Sequence, residues 1–270
     1  LPPVNASPFA FSFLAEAERA HTAMMHSSLA DRAAGLGGKL FYAGELDADC
    51  RASIAAANIA GAATLAASAD RSAQKQAMRD GIADFLVATL DEALRILKNQ
   101  LRKREPAAVC VGAAPAEVES EMLARGVVPD FVRGAVPDLA CDALPDLVRS
   151  SVSTAQQDDA LPLSVTVLSE SDAETAPAIL AWSVASAPAQ WLPKLDAIAL
   201  ESLDADDWIA RRWLRLSPRY LGRMAQGTHA VTCSQRVASS FIERVQSEVE
   251  REEIGVPVEI RWKEQTRELR

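Results

Sequence analysis

The sequence predicts an α/β fold: a parallel sheet flanked by helices, with a second, smaller α/β region. Three observations carry that expectation. Short apolar runs bounded by turn residues alternate with helical stretches from Lys39 onward, as strands buried on both faces do. Lys39–Ile59 passes from an apolar run, Leu40-Phe41-Tyr42-Ala43, through a turn at Gly44 into a helix rich in Ala and Ile. Hydrophobic residues, led by Ala, make up 49% of the 270-residue chain, yet aromatics are only 5%. Small side chains are therefore expected to bring helices close against the sheet.

Taken in order, the Ala-rich stretch Leu14–Ala34 lacks Pro and Gly and predicts a helix. Gly35-Leu36-Gly37-Gly38 ends it as a C-cap and turn. Leu40–Ala43 predicts a strand, Ala48–Ala60 a helix closed by Gly61, and Ala63–Ala67 the next strand. Ser72–Asp80 predicts a short helix ended by Gly81, and Ala83–Val87 a strand. Thr89 reads as an N-cap, with Asp91 and Glu92 in the first turn. The helix it opens carries Leu90, Leu94, Leu97 and Leu101 at helical spacing. Lys98, Arg102, Lys103 and Arg104 crowd its end, where the dipole favours cations. Pro106 stops it. Ala107–Val111 is a strand, Gly112–Pro115 a turn, Ala116–Ala124 a helix and Val127–Val132 a short strand. Lys39–Ile59 is thus the first half of a Rossmann-type unit, and its turn lies where a dinucleotide phosphate would sit.

Regularity is lost over Arg133–Leu161, where prolines bracket acidic, Ser-rich segments; this reads as a boundary or a surface excursion. Ser164–Leu168 predicts a strand and a Pro- and Ala-rich stretch follows to Pro188. Leu195–Leu200 predicts another strand. Asp204–Asp207 opens a helix carrying Trp208 and Trp213, and Ala230–Thr232 is a strand. Ser234 caps a long helix, Arg236–Glu253, with Val237, Phe241, Val245 and Val249 on one stripe. Val256–Trp262 is the last strand. The expected organisation is a Rossmann-like region at 35–150 and a second α/β region formed by 1–34 plus 151–270.

Composition excludes several function classes. A net charge of −9 argues against nucleic acid as a partner, since phosphates demand a basic surface. No window approaches the ~20 apolar residues that span a bilayer, so no membrane association is expected. Leu1-Pro2-Pro3 does not start a secretory signal. Cys50, Cys110, Cys141 and Cys233 are widely spaced and read as reduced thiols of a cytoplasmic protein. His21 and His26 lie five apart and share no helix face, so no metal site is expected there. His229 stands without a Gly-x-Ser-x-Gly elbow and reads as a packed or edge residue. Arg211, Arg212, Arg215 and Arg219 read as the solvated face of a helix. Trp182, Trp191, Trp208 and Trp213 cluster in the second half, as core or as interface residues.

Residues 35–132 resemble the NAD-binding domain of the urocanase (urocanate hydratase) family, as a short, divergent relative. The resemblance rests on Ala43-Gly44 at a strand end and on the helix ending Ile54…Ile59-Ala60-Gly61-Ala62. It continues in Leu90-Asp91-Glu92-Ala93-Leu94, Gly112-Ala113-Ala114-Pro115-Ala116-Glu117 and Arg125-Gly126-Val127-Val128-Pro129-Asp130-Phe131-Val132. A fainter likeness to the family's core region runs through Trp191, Ala199-Leu200, Asp206, Trp213, Arg219 and Gln226-Gly227 to Val231-Thr232-Cys233.

Such a resemblance implies a tightly held NAD that acts as an electrophile in hydrating urocanate, and a homodimer. The positions equivalent to the family's cofactor site are Gly44, Glu45, Leu46, Asp47 and Ala113. The family's glycine-rich run is reduced here to Gly44 alone. Glu45, Asp47 and Asp49 stand where backbone must approach a diphosphate. Each like-charge contact at ~4 Å would cost about 4 kcal/mol at surface-like dielectric. An acidic, well-capped helix start explains them better than a hard-cation site, which needs further oxygen ligands. The expectation is a urocanase-like protein without its NAD cradle or hydratase activity, non-catalytic or repurposed, with no catalytic residues and no cofactor. The alternatives are a divergent urocanate hydratase or other NAD-dependent lyase, with Gly35–Gly38 as its only other phosphate loop, and a protein-interaction module using the Pro-rich middle.

Overall fold

The computed structural model of the chain describes residues 8–27, 29–133, 177–225, 227–263 and 265–269. The chain divides into two compact units, Arg19–Val167 and Leu1–Glu18 with Leu168–Arg270. The strand expected at Ser164–Leu168 and the irregular segment after Arg133 lie outside the described residues.

The unit Arg19–Val167 is built on a parallel five-stranded sheet. Its strands are β1 (Leu40–Glu45), β2 (Ala63–Ala67), β3 (Phe85–Val87), β4 (Ala107–Val111) and β5 (Phe131–Val132), in the order β3-β4-β2-β1-β5. Every residue of β2 and β4 is buried, which is why these strands read as unbroken apolar runs instead of alternating ones. The helices are α2 (Ala48–Ala60), α3 (Arg71–Asp80), α4 (Leu90–Lys103) and α5 (Pro115–Ala124). Asp47, Asp70 and Thr89 cap α2, α3 and α4, each side chain accepting from an amide of the first turn. Gly61 ends α2 at φ 101°, a left-handed conformation that glycine adopts without steric cost. From Ala52 to Ala60 every residue of α2 is buried. Mostly small side chains, with Ile54 and Ile59 among them, let this helix be covered on all sides.

The N-terminal rim of the sheet is sealed by two carboxylates. Asp130 accepts from the Leu40 amide at 2.8 Å and from Lys39 Nζ at 3.1 Å, and Asp84 accepts from the Ala108 amide at 2.8 Å. At the other rim the chain order matters. From β1 the chain moves to β2 and on to β3 and β4, then returns to place β5 on the opposite side of β1. The topological switch point, where open α/β sheets receive ligands, is therefore the crevice between the C-terminal ends of β1 and β5.

The helix expected at Leu14–Ala34 is shorter and shifted: α1 spans Pro8–Met25. Asp31 is the reason. Its side chain accepts from the amides of Ala33 and Ala34, both at 2.8 Å, and its backbone exchanges two hydrogen bonds with Gly35. An Asx turn thus competes successfully with helix.

The second unit carries an antiparallel sheet in the order β7-β6-β8-β9, made of β6 (Ala178–Val184), β7 (Thr228–Cys233), β8 (Val258–Trp262) and β9 (Gln265–Leu269). Its helices are α6 (Pro188–Ser202), α7 (Trp208–Tyr220) and α8 (Gln235–Glu250). Two expectations are corrected. Leu195–Leu200 is helix, not strand: the buried residues Leu192, Leu195, Ala199 and Ser202 follow helical spacing, and Pro188 sits at the start, where a missing N–H costs nothing. The Pro- and Ala-rich stretch before Pro188 holds β6, the strand that pairs with both β7 and β8. The N-terminal part of α1 belongs to this unit. Its Glu18 carboxylate accepts from the hydroxyl and the amide of Thr232 on β7.

Candidate functional site

The β1 strand ends in an irregularity. Its pairing with β2 slips between Tyr42 and Gly44, and Gly44 has φ +73°. Glu45 is exposed and Leu46 is buried, its amide donating to the Ala67 carbonyl at 3.0 Å. Asp47 caps α2: its carboxylate accepts from the Cys50 amide at 2.6 Å. Four of the five expected positions, Gly44 to Asp47, thus lie together at the switch point. The fifth, Ala113, follows β4, and β2 lies between β4 and β1. It is half-buried and packs against the core beneath α5. Gly35–Gly38 precedes β1 and so stands at the N-terminal rim, where Gly37 is closed in by Ala34 and Arg104. That position removes it as an alternative phosphate loop.

Among the described residues, Arg133, directly after β5, reaches into this crevice. It grips Asp47 with two parallel hydrogen bonds, Nη1 to Oδ1 at 2.9 Å and Nη2 to Oδ2 at 2.8 Å. Its Nη1 also lies 3.4 Å from the Glu45 carbonyl, and its amide donates to the Tyr42 carbonyl at 3.0 Å. The guanidinium side chain is only 9% exposed, against 42% for Asp47. Burial raises the Asp47 pKa, but hydrogen bonds from Arg133 and the Cys50 amide outweigh it and hold the carboxyl below its usual value. Asp47 is therefore ionised at neutral pH.

Beneath the rim lie groups with less chemical freedom. Burial, then the Glu119 carboxylate, pushes the Tyr42 hydroxyl up; it donates to Glu119 Oε1 at 3.0 Å. Burial raises the Cys50 thiol to about 12 and the Cys110 thiol to about 11, so neither supplies a thiolate at neutral pH.

The second unit has its own half-buried polar cluster. Asp196 of α6 sits 2.8 and 2.9 Å from His229 Nδ1, and Trp182 Nε1 donates to it at 3.2 Å. Trp182 and His229 are cross-strand partners on β6 and β7. His229 is thus a packed residue on an edge strand. A cleft of about 300 Å³ lies between α8 and the β8–β9 hairpin, with Trp262, Lys263 and Arg267 among its walls. The arginine face expected to be solvated is partly turned inward. Arg211 donates to the Leu200 carbonyl at 2.8 Å, and burial lowers the pKa of Arg212. Among the described residues no group of three or more His, Cys, Asp or Glu side chains is gathered for a metal ion, and no helix is long and apolar enough to cross a membrane.

Arg133 and the Asp196–His229 pair escaped the sequence. Each joins residues far apart in the chain, and neither carries a local motif. Only the abrupt end of the apolar run at Val132 marks Arg133 as a rim residue. Compared with known families, residues 20–137, somewhat under half the chain, match the urocanase Rossmann-like domain.

Proposed function

We propose that this urocanase-like chain keeps the frame of a dinucleotide domain without its cradle, and that it is non-catalytic or repurposed. In the urocanase family this domain binds NAD. A diphosphate there needs free amides and close backbone approach. The observation that carries the reading is the turn after β1. Its one glycine is followed by the exposed Glu45, and the ionised Asp47 already holds the Cys50 amide. These residues do not fit a dinucleotide diphosphate.

The test is the NAD content of the purified protein, by absorbance and mass spectrometry, with urocanate consumption as a second measurement. The expected results are no stoichiometric NAD and no urocanate loss with NAD added. Retained stoichiometric NAD would overturn the reading.

Two further expectations belong to it. Self-association as a homodimer is supported by the exposed apolar side chains Phe85 and Leu86 on edge strand β3 and Met78 of α3. Light scattering behind size exclusion reads it directly. A reducing, cytoplasmic setting is supported by Cys50, Cys110 and Cys233, which are free and buried.

A further inference from the structure

We infer that the cleft between α8 and the β8–β9 hairpin binds a short zwitterion of dipeptide size, with an apolar body between a terminal ammonium and a terminal carboxylate. The inference goes beyond the functional reading and does not depend on the lost cradle. The cleft follows from register. Ile260 stands opposite Arg267 and Trp262 opposite Gln265 across β8 and β9, so these four side chains share one face of the sheet. On α8, Val237, Phe241 and Val245 are buried. Gln235, Ser239 and Glu243, spaced four apart, form a second stripe and line the cleft. Its volume of about 300 Å³ lies at the low end for small-molecule sites.

The two walls carry opposite charge. Glu243 lies on the helix wall and Arg267 on the strand wall. Lys263, whose ammonium lies 5.9 Å from the centre of the Trp262 ring, adds a second cation at the hairpin turn. Among the described residues neither Glu243 nor Arg267 is in an ion pair, with each other or with a third group. An anion alone would face Glu243, and a cation alone would face Arg267 and Lys263. A ligand bearing both charges complements both walls. Between them the buried Ile260 and half-buried Trp262 form an apolar floor, which favours an apolar side chain. The side chains of Gln235, Ser239 and Gln265 supply donors and acceptors for a peptide group.

The experiment titrates the full chain with the unblocked dipeptide leucyl-leucine. It follows the Trp262 indole N–H resonance, assigned by its loss in W262F. A saturable shift of that resonance is expected. Acetylating the amine or amidating the carboxylate should each weaken binding about fivefold. R267Q should narrow the difference between acid and amide to under about twofold, and E243Q the difference between free and acetylated amine. Both substituted side chains are exposed, so neither variant removes a core contact. No shift of the Trp262 resonance at about 10 mM dipeptide overturns the inference. So does equal binding of a blocked dipeptide, or a charge preference that R267Q and E243Q leave unchanged.

Discussion

The two sheets of this chain are filled by different means. The parallel sheet is packed with small residues: in β2 Ala63, Ala66 and Ala67, in α2 Ala55, Ala56 and Ala57, all at most 2% exposed. Its ion pairs and capping carboxylates gather at the rims, with Asp84 and Asp130 at one end and Asp47 with Arg133 at the other. The antiparallel sheet is packed with large aromatics. All five tryptophans of the chain lie in residues 182–262, and Trp182 and Trp213 are essentially inaccessible. Its polar groups lie in the helix–sheet interface: the half-buried Asp196 with His229 and Trp182, and Trp213 donating to the Ala230 carbonyl at 2.7 Å. One sheet separates its apolar interior from its chemistry. The other uses polar contacts to fix its helices on the strands.

The largest expected effect breaks the aromatic side of this contrast. Trp182→Ala removes a ring whose centroid lies 4.9 Å from that of Phe241, the two tilted by 40°, and should cost about 3–5 kcal/mol. Chemical denaturation followed by tryptophan fluorescence checks it, and the signal reports the antiparallel unit alone because every tryptophan lies there. Next comes Asp196→Ala, which leaves His229 Nδ1 and Trp182 Nε1 without their acceptor; the expected loss is about 1–3 kcal/mol. A cost near zero would make this cluster incidental to the helix–sheet contact. In the parallel unit, Gly61→Ala forces a side chain into the left-handed region at φ 101° and should cost about 1–2 kcal/mol. Circular dichroism follows that loss, since tryptophan fluorescence does not report this unit.

The smallest effect is the rim pair. Asp47→Asn keeps a capping side chain and removes the charge. Because the folded pKa of Asp47 is depressed, its contribution is present above the unfolded value and is lost as pH falls through the folded one. Asp47 is partly exposed, so wild type should exceed D47N by under about 1 kcal/mol near neutrality. The difference should close as pH falls below the ordinary aspartate value of ~3.9. A difference that persists in strong acid would mean that the pair is not held by charge.

The same contrast explains what the sequence disclosed. Strands buried on both faces leave continuous apolar runs, so β1, β2 and β4 were legible as Leu40–Ala43, Ala63–Ala67 and Ala107–Val111, and caps such as Thr89 and Gly61 marked the helix ends. In the antiparallel unit, a short apolar run misled. Leu195–Leu200 is bounded by the charged Lys194 and Glu201 and read as a strand, yet it is the second half of α6, which Pro188 starts and which carries Pro193 inside it. β6 hid in the stretch before Pro188 because Ala178, Ala181 and Ser183 carry little strand character. β9, exposed along most of its length, left no apolar signature. At the site, the sequence placed Gly44 to Asp47 on one turn. It could not supply Arg133, which reaches Asp47 only because β5 lies beside β1.

Helix α2 has a consequence for how such a chain can change. A helix enclosed on every side cannot accept a larger residue without moving what surrounds it, so that segment resists drift whatever the protein does. The turn at its head answers to no such constraint. Kinship read from the enclosed segment therefore says nothing about the chemistry at the rim.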